Sequence, residues 1–135
     1  MSNQIRLSQV QVTSLSLNVD TFNKDITSEF GTKLRFEAVY HTENQNNFAI
    51  VFDLELENEE SAFVLKLKAT AHFEADNLID DDFKSSPFVK ISAPAIAFSY
   101  IRTFISNLTL NSGYEAIMLP SFNFIKMSEE REEEK

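Results

Sequence analysis

The 135-residue chain has no cysteine, two glycines and three prolines. Without cysteine there is no disulfide framework, zinc–thiolate site or thiol nucleophile, and the composition suits a reducing cytoplasm. So few glycines argue against Gly-rich phosphate loops and sharply strained turns. Histidine is as scarce: His41 and His72 are the whole supply, and both read as outer-face strand residues without a base or metal partner. No nucleophile motif accompanies them, so neither an enzyme nor a cofactor is expected. No run reaches the roughly 18–20 consecutive apolar residues of a membrane span. The opening "MSNQIRLSQVQV" has no apolar h-region, so neither a secretory signal nor membrane insertion is expected. Basic residues are outnumbered, 12 Lys and Arg against 21 Asp and Glu, for a net charge of −9. Such a chain repels phosphate backbones, and nucleic acid is not an expected partner. Part of the negative charge sits in "SEEREEEK", residues 128–135, which reads as a flexible acidic tail beyond a single domain of residues 1–127.

Phenylalanine, by contrast, is abundant, at 13 residues. Three segments alternate with period two, as strands with one wet face do. In "KLRFEAVYH" the apolar set is Leu34, Phe36, Ala38 and Tyr40. In "FAIVFDLELE" it is Phe48, Ile50, Phe52, Leu54 and Leu56. In "FVLKLKATAHFE" it is Phe63, Leu65, Leu67, Ala69, Ala71 and Phe73. The turns "TENQNN" and "NEES" join them into a meander. In "LSQVQVTSLSLNVD", Val10 and Val12 are out of phase with Leu15, Leu17 and Val19. One extra residue at Thr13–Ser14 accounts for that slip, so a β-bulge is predicted there, on an edge strand.

"DNLIDDDFKSSPFVKIS" reads as a loop. Its Asp76, Asp80, Asp81 and Asp82 lack calcium-loop spacing and read as solvated. A helix is predicted from Pro94 to Leu110, capped by Ser92 or Ala93, with Gly113 past its end. Ala97, Ile101, Phe104, Ile105 and Leu108 make one apolar face, and Ile96, Phe98 and Tyr100 extend it around the cylinder. A helix on one sheet needs only one stripe. This one is expected to meet a second subunit as well.

The stretch "APAIAFSYIRTFISNLTLNSG", followed by "IMLPSFNF", resembles the SecB-type chaperone family. Pro94, Ile96, Phe98, Tyr100 and Arg102 match the family's helix motif, and Leu119, Pro120, Asn123 and Phe124 match its crossover. The resemblance implies an α+β fold: a four-stranded antiparallel sheet with a bulged first strand, one long helix, a crossover loop and a short C-terminal helical segment, here cut to about "NFIKM". It implies a homotetramer, a dimer of dimers, with Ile96, Tyr100, Ile101, Phe104, Ile105 and Leu108 at subunit interfaces. It also implies ATP-independent binding of unfolded preproteins, or of a dedicated client, in an apolar groove. Candidate groove residues are Phe22, Phe30, Leu34, Phe36, Tyr40, Tyr114, Ile117 and Met118. Leu34 and Phe36 fit a core as well as a groove, whereas Phe22, Phe30, Tyr114 and Ile117 lie in loops with less core to enter. Export members dock the motor SecA through acids on the outer sheet. The matching positions here are Ser14, Asn18 and Lys66, none acidic, which argues against that partner. A scaffold or antitoxin-associated partner with the same fold is the alternative. Ser99 and Thr103 depart from the helix motif, and Arg102 is expected to pair with an acid.

Overall fold

The alternating segments pair into one antiparallel sheet. The computed structural model describes residues 4–19, 31–43, 45–58, 63–119 and 122–133. Strands β1 (Ile5–Val19), β2 (Gly31–Tyr40), β3 (Asn47–Asn58) and β4 (Phe63–Ala75) stand in the order β1-β4-β3-β2. The meander β2-β3-β4 and the edge position of β1 are as expected. Register aligns the apolar faces across the whole sheet. Leu34, Leu54, Leu67 and Leu15 form one row, one leucine per strand, and Phe36, Phe52, Ala69 and Val12 form the next.

Strand β1 joins this pattern only because it is bulged twice. Thr13 is the extra residue between Val12, opposite Ala69, and Ser14, opposite Lys68. This is the predicted bulge. A second one, at Ser8 between Leu7 and Gln9, was not predicted, although Leu7 and Val10 stand three residues apart and so out of phase in the segment. Each bulged hydroxyl crosses to a β4 carbonyl: Ser8 Oγ donates to His72 O at 3.0 Å, and Thr13 Oγ1 to Lys68 O at 3.2 Å. With both bulges, Ile5, Leu7, Val10, Val12, Leu15, Leu17 and Val19 all lie opposite inward residues of β4.

The segment read as a loop is partly helical. Helix α1 (Asp81–Lys84) is capped by Asp80, whose Oδ1 accepts from Phe83 N–H at 2.8 Å. A π turn, Phe88–Ser92, then runs directly into α2 (Ala93–Asn111). Ser92 is helical and makes no side-chain cap bond, so the expected N-cap is absent. The Ala93 N–H reaches back five residues to Phe88 O, and Pro94 behind it has no N–H to donate, a local sequence that suits the wider turn. Gly113 does end α2, at φ +97. Tyr114 N–H bonds Thr109 O and Gly113 N–H bonds Leu110 O, the paired bonds of a Schellman ending. Helix α3 (Phe124–Glu133) continues through Met127 well into the acidic segment, so it is longer than "NFIKM".

Helix α2 buries Ala97, Phe98, Ile101, Ile105 and Thr109. The helical run Phe88–Asn111 is long and apolar enough in composition to cross a membrane, but this stripe belongs to the same core as the sheet.

Candidate functional site

Two apolar regions extend beyond what the helix covers. The first joins β1 to α2. Val12, Leu15 and Val19 face the helix side of the sheet yet are exposed by 41%, 41% and 56%. On α2, Tyr100 is 58% exposed and Ile96 is also exposed, while Phe104 and Leu108 are half-buried. Between the two elements lies an open groove of about 210 Å³, lined by Val10, Val12, Leu67, Ala69, Tyr100, Ile101 and Phe104. Ile101 and Ile105 correct the expected interface: both are buried within one protomer. Helical spacing puts them on the sheet-facing arc, about 100° per residue from Ile96 and Tyr100.

The second set of apolar residues comes from β2 and from the crossover. Leu34, Phe36 and Tyr40 are half-buried on an edge strand. The Phe36 ring meets Phe124 at 5.5 Å and Phe52 at 6.1 Å. Tyr40 lies 6.4 Å from Phe48, with Lys84 Nζ 4.7 Å from its ring centre. Burial pushes the Tyr40 phenol above its ordinary 10.0. Tyr114 is half-buried with its ring 4.8 Å from Phe63. Ile117, read as a groove residue because it lies in a loop, is buried against the core. Two hydroxyls of α2 draw it in. Ser106 Oγ donates to Ile117 O at 2.6 Å, and Ile117 N–H donates to Thr109 Oγ1 at 3.0 Å. Met118 beside it is 75% exposed. Phe22 and Phe30 lie outside the described residues.

The outer face of the sheet is polar and of mixed sign. Asp53 stands between Arg35 and Lys68 in register, and Glu55 between Lys33 and Lys66. Ser14, Asn18 and Lys66 are exposed on this face. His72 Nε2 is 2.8 Å from Gln11 Oε1, a surface contact, and His41 lies just past the end of β2. No group of acids, histidines or cysteines among the described residues could hold a metal ion.

Sequence reasoning missed the exposure of Val12, Leu15 and Val19, because alternation reports a face and not what covers it. It also missed Ser106 and Thr109. Their only signal was a pair of small hydroxyls, three residues apart, in a helix that carries other hydroxyls at Ser99 and Thr103.

A family profile described as "Preprotein translocase subunit SecB" matches residues 2–135. The protein-export protein SecB 1 of Francisella tularensis subsp. novicida is 28% identical over 131 residues, 92% of this chain and 86% of that protein. The protein-export protein SecB of Roseobacter denitrificans is 27% identical over 71 residues, 53% of this chain and 42% of that protein. Among solved structures, a SecB-like chaperone of Mycobacterium tuberculosis, in complex with a peptide from an antitoxin, aligns with a TM-score of 0.68 at 12% identity. That alignment covers 87% of this chain and 90% of the other, and it shows the shared fold.

Proposed function

Because the chain belongs to the SecB family, we propose that it holds unfolded or non-native polypeptides in an apolar groove without ATP. Family membership makes it a chaperone rather than an enzyme, for protein export or for a dedicated client. The observation that carries the groove reading is the half-buried row Leu34, Phe36 and Tyr40 on an edge strand, with Tyr114 and Met118 on the crossover. Such side chains offer apolar area to an extended chain without leaving the core. The M. tuberculosis neighbour's antitoxin peptide supports a polypeptide as the ligand.

The other apolar region has a different use in this reading. Val12, Leu15, Ile96 and Tyr100 close against further copies of the chain, giving a homotetramer built from dimers. The cytoplasm is the compartment in which this chaperone works. One observation favours a dedicated client over hand-over to SecA. The outer sheet face alternates in sign, and the acids Asp53 and Glu55 each stand between two cations.

The test is aggregation of a reduced, unrelated polypeptide, followed by light scattering without ATP. Suppression at near-stoichiometric chaperone supports the reading. No suppression, with binding confined to one partner, leaves a scaffold on the same fold.

A further inference from the structure

The crossover segment 115–119 lies on α2 as an extended peptide lies in a binding site. Over residues 116–119 its side chains alternate: Ile117 and Leu119 are buried, while Ala116 and Met118 are exposed, and Glu115 before them is exposed as well. Among the described residues, no strand holds the backbone of Ile117. Its carbonyl accepts from Ser106 Oγ at 2.6 Å, and its N–H donates to Thr109 Oγ1 at 3.0 Å. Thr109 is fully buried and donates onward to Ile105 O at 2.9 Å, which fixes its oxygen as the acceptor facing the segment. Thus α2 presents one donor and one acceptor to a single extended residue, beside space that takes two aliphatic side chains spaced two apart.

None of these contacts is specific to the chain's own segment. The hydroxyls read backbone groups, which every polypeptide carries, and the pockets read aliphatic bulk. We propose that residues 115–119 are a built-in occupant of a client subsite. An extended client segment with two aliphatic residues in alternate positions displaces them and takes over the Ser106 and Thr109 hydroxyls. This rests on the reading of the protein as a chaperone for non-native chains. It adds a subsite and the class of segment it takes, and at that subsite it makes residues 115–119 a competitor of the client.

Competition sets the sign of the test. A site occupied internally binds a client more weakly, by the fraction of time it is open. Ile117→Ala weakens the internal occupant and leaves the α2 hydroxyls intact. It should bind an extended, aliphatic-rich fluorescent peptide more tightly, by roughly tenfold. The double variant Ser106→Ala with Thr109→Val removes groups used by occupant and client alike. It should speed amide exchange at Ile117 without any gain in affinity. In the unaltered protein, saturating peptide should speed exchange at Ile117, because the segment is released. Unchanged or weaker binding by a folded Ile117→Ala variant overturns the proposal. So does client-induced protection of the Ile117 amide, which needs no variant to be measured. If neither the unaltered protein nor Ile117→Ala binds peptide, the chaperone reading falls too. Binding by the variant alone is occlusion in its strongest form.

Discussion

Leu15 and Leu67 stand directly opposite each other in the β1–β4 register, yet Leu67 is 2% exposed and Leu15 is 41% exposed. The two side chains have the same chemistry and face the same side of the sheet. Leu67 belongs to the buried core that also holds Ile101 and Ile105 of α2, and Leu15 lies outside it. The same boundary separates Ile101, inside, from Tyr100, outside.

A pair of substitutions across that boundary separates folding from assembly. Tyr100→Glu places a charge on the exposed arc, so the protomer should keep its unfolding transition while the tetramer dissociates. Ile101→Asp buries an unpaired charge at a cost on the order of 3–5 kcal/mol and should unfold the protomer itself. Light scattering and thermal melts read the two outcomes. A monomeric unaltered protein at micromolar concentration would remove the assembly reading.

The bulge at Thr13 makes a prediction against intuition. Deleting Thr13 leaves Val12 and Leu15 separated by Ser14 alone, in simple alternation, with Leu15, Leu17 and Val19 still inward. The loss is one exposed hydrogen bond to Lys68 O and some local twist. A fall of roughly 1–2 kcal/mol is expected, with the fold kept. Denaturant unfolding checks this, and a collapse of cooperativity would mean that the bulge itself sets the packing.

Tyr40 gives a pH signature. Its folded value is raised above 10.0 by burial. The neutral phenol is therefore favoured by folding. Below pH 10 both states are neutral and nothing is lost; as pH rises through 10 the unfolded chain ionises first and stability falls. Tyr40→Phe should flatten the melting temperature above about pH 10 relative to the unaltered chain. Parallel profiles for the two proteins would contradict the assignment.

Docking of SecA through the sheet should be weak. Ser14 and Asn18 are neutral, Lys66 is basic, and Asp53 and Glu55 lie between cations. Residual binding through acids of residues 128–135 should vanish on their deletion or at moderate salt, since exposed charges are screened within about 8–10 Å. Calorimetry with the cognate SecA at two salt concentrations measures it. Tight binding that survives both treatments would show that Asp53, Glu55 and Glu57 serve as the docking acids.

Much of the architecture is legible in the sequence. Period-two alternation in β2, β3 and β4 has one structural solution per segment, and a phase slip at Thr13 has a simple remedy in a bulge. Gly113 was readable as a helix end because a left-handed residue is costly for other side chains. Other features were decided by tertiary contacts. The bulge at Ser8 shows in the sequence only as the three-residue step from Leu7 to Val10, and pairing with β4 made it evident. Ile101 and Phe104 look alike as apolar helix residues, and only the placement of α2 on the sheet buries the first fully. Ile117 looked like an open loop residue because hydrophobicity in a loop suggests a ligand. Its backbone is held by Ser106 and Thr109, hydroxyls that lie 11 and 8 residues earlier in the chain. The alternation of a strand is local and can be read from neighbours in sequence. Which apolar face is covered, and by what, depends on elements far apart in the chain, and the tertiary structure decides it.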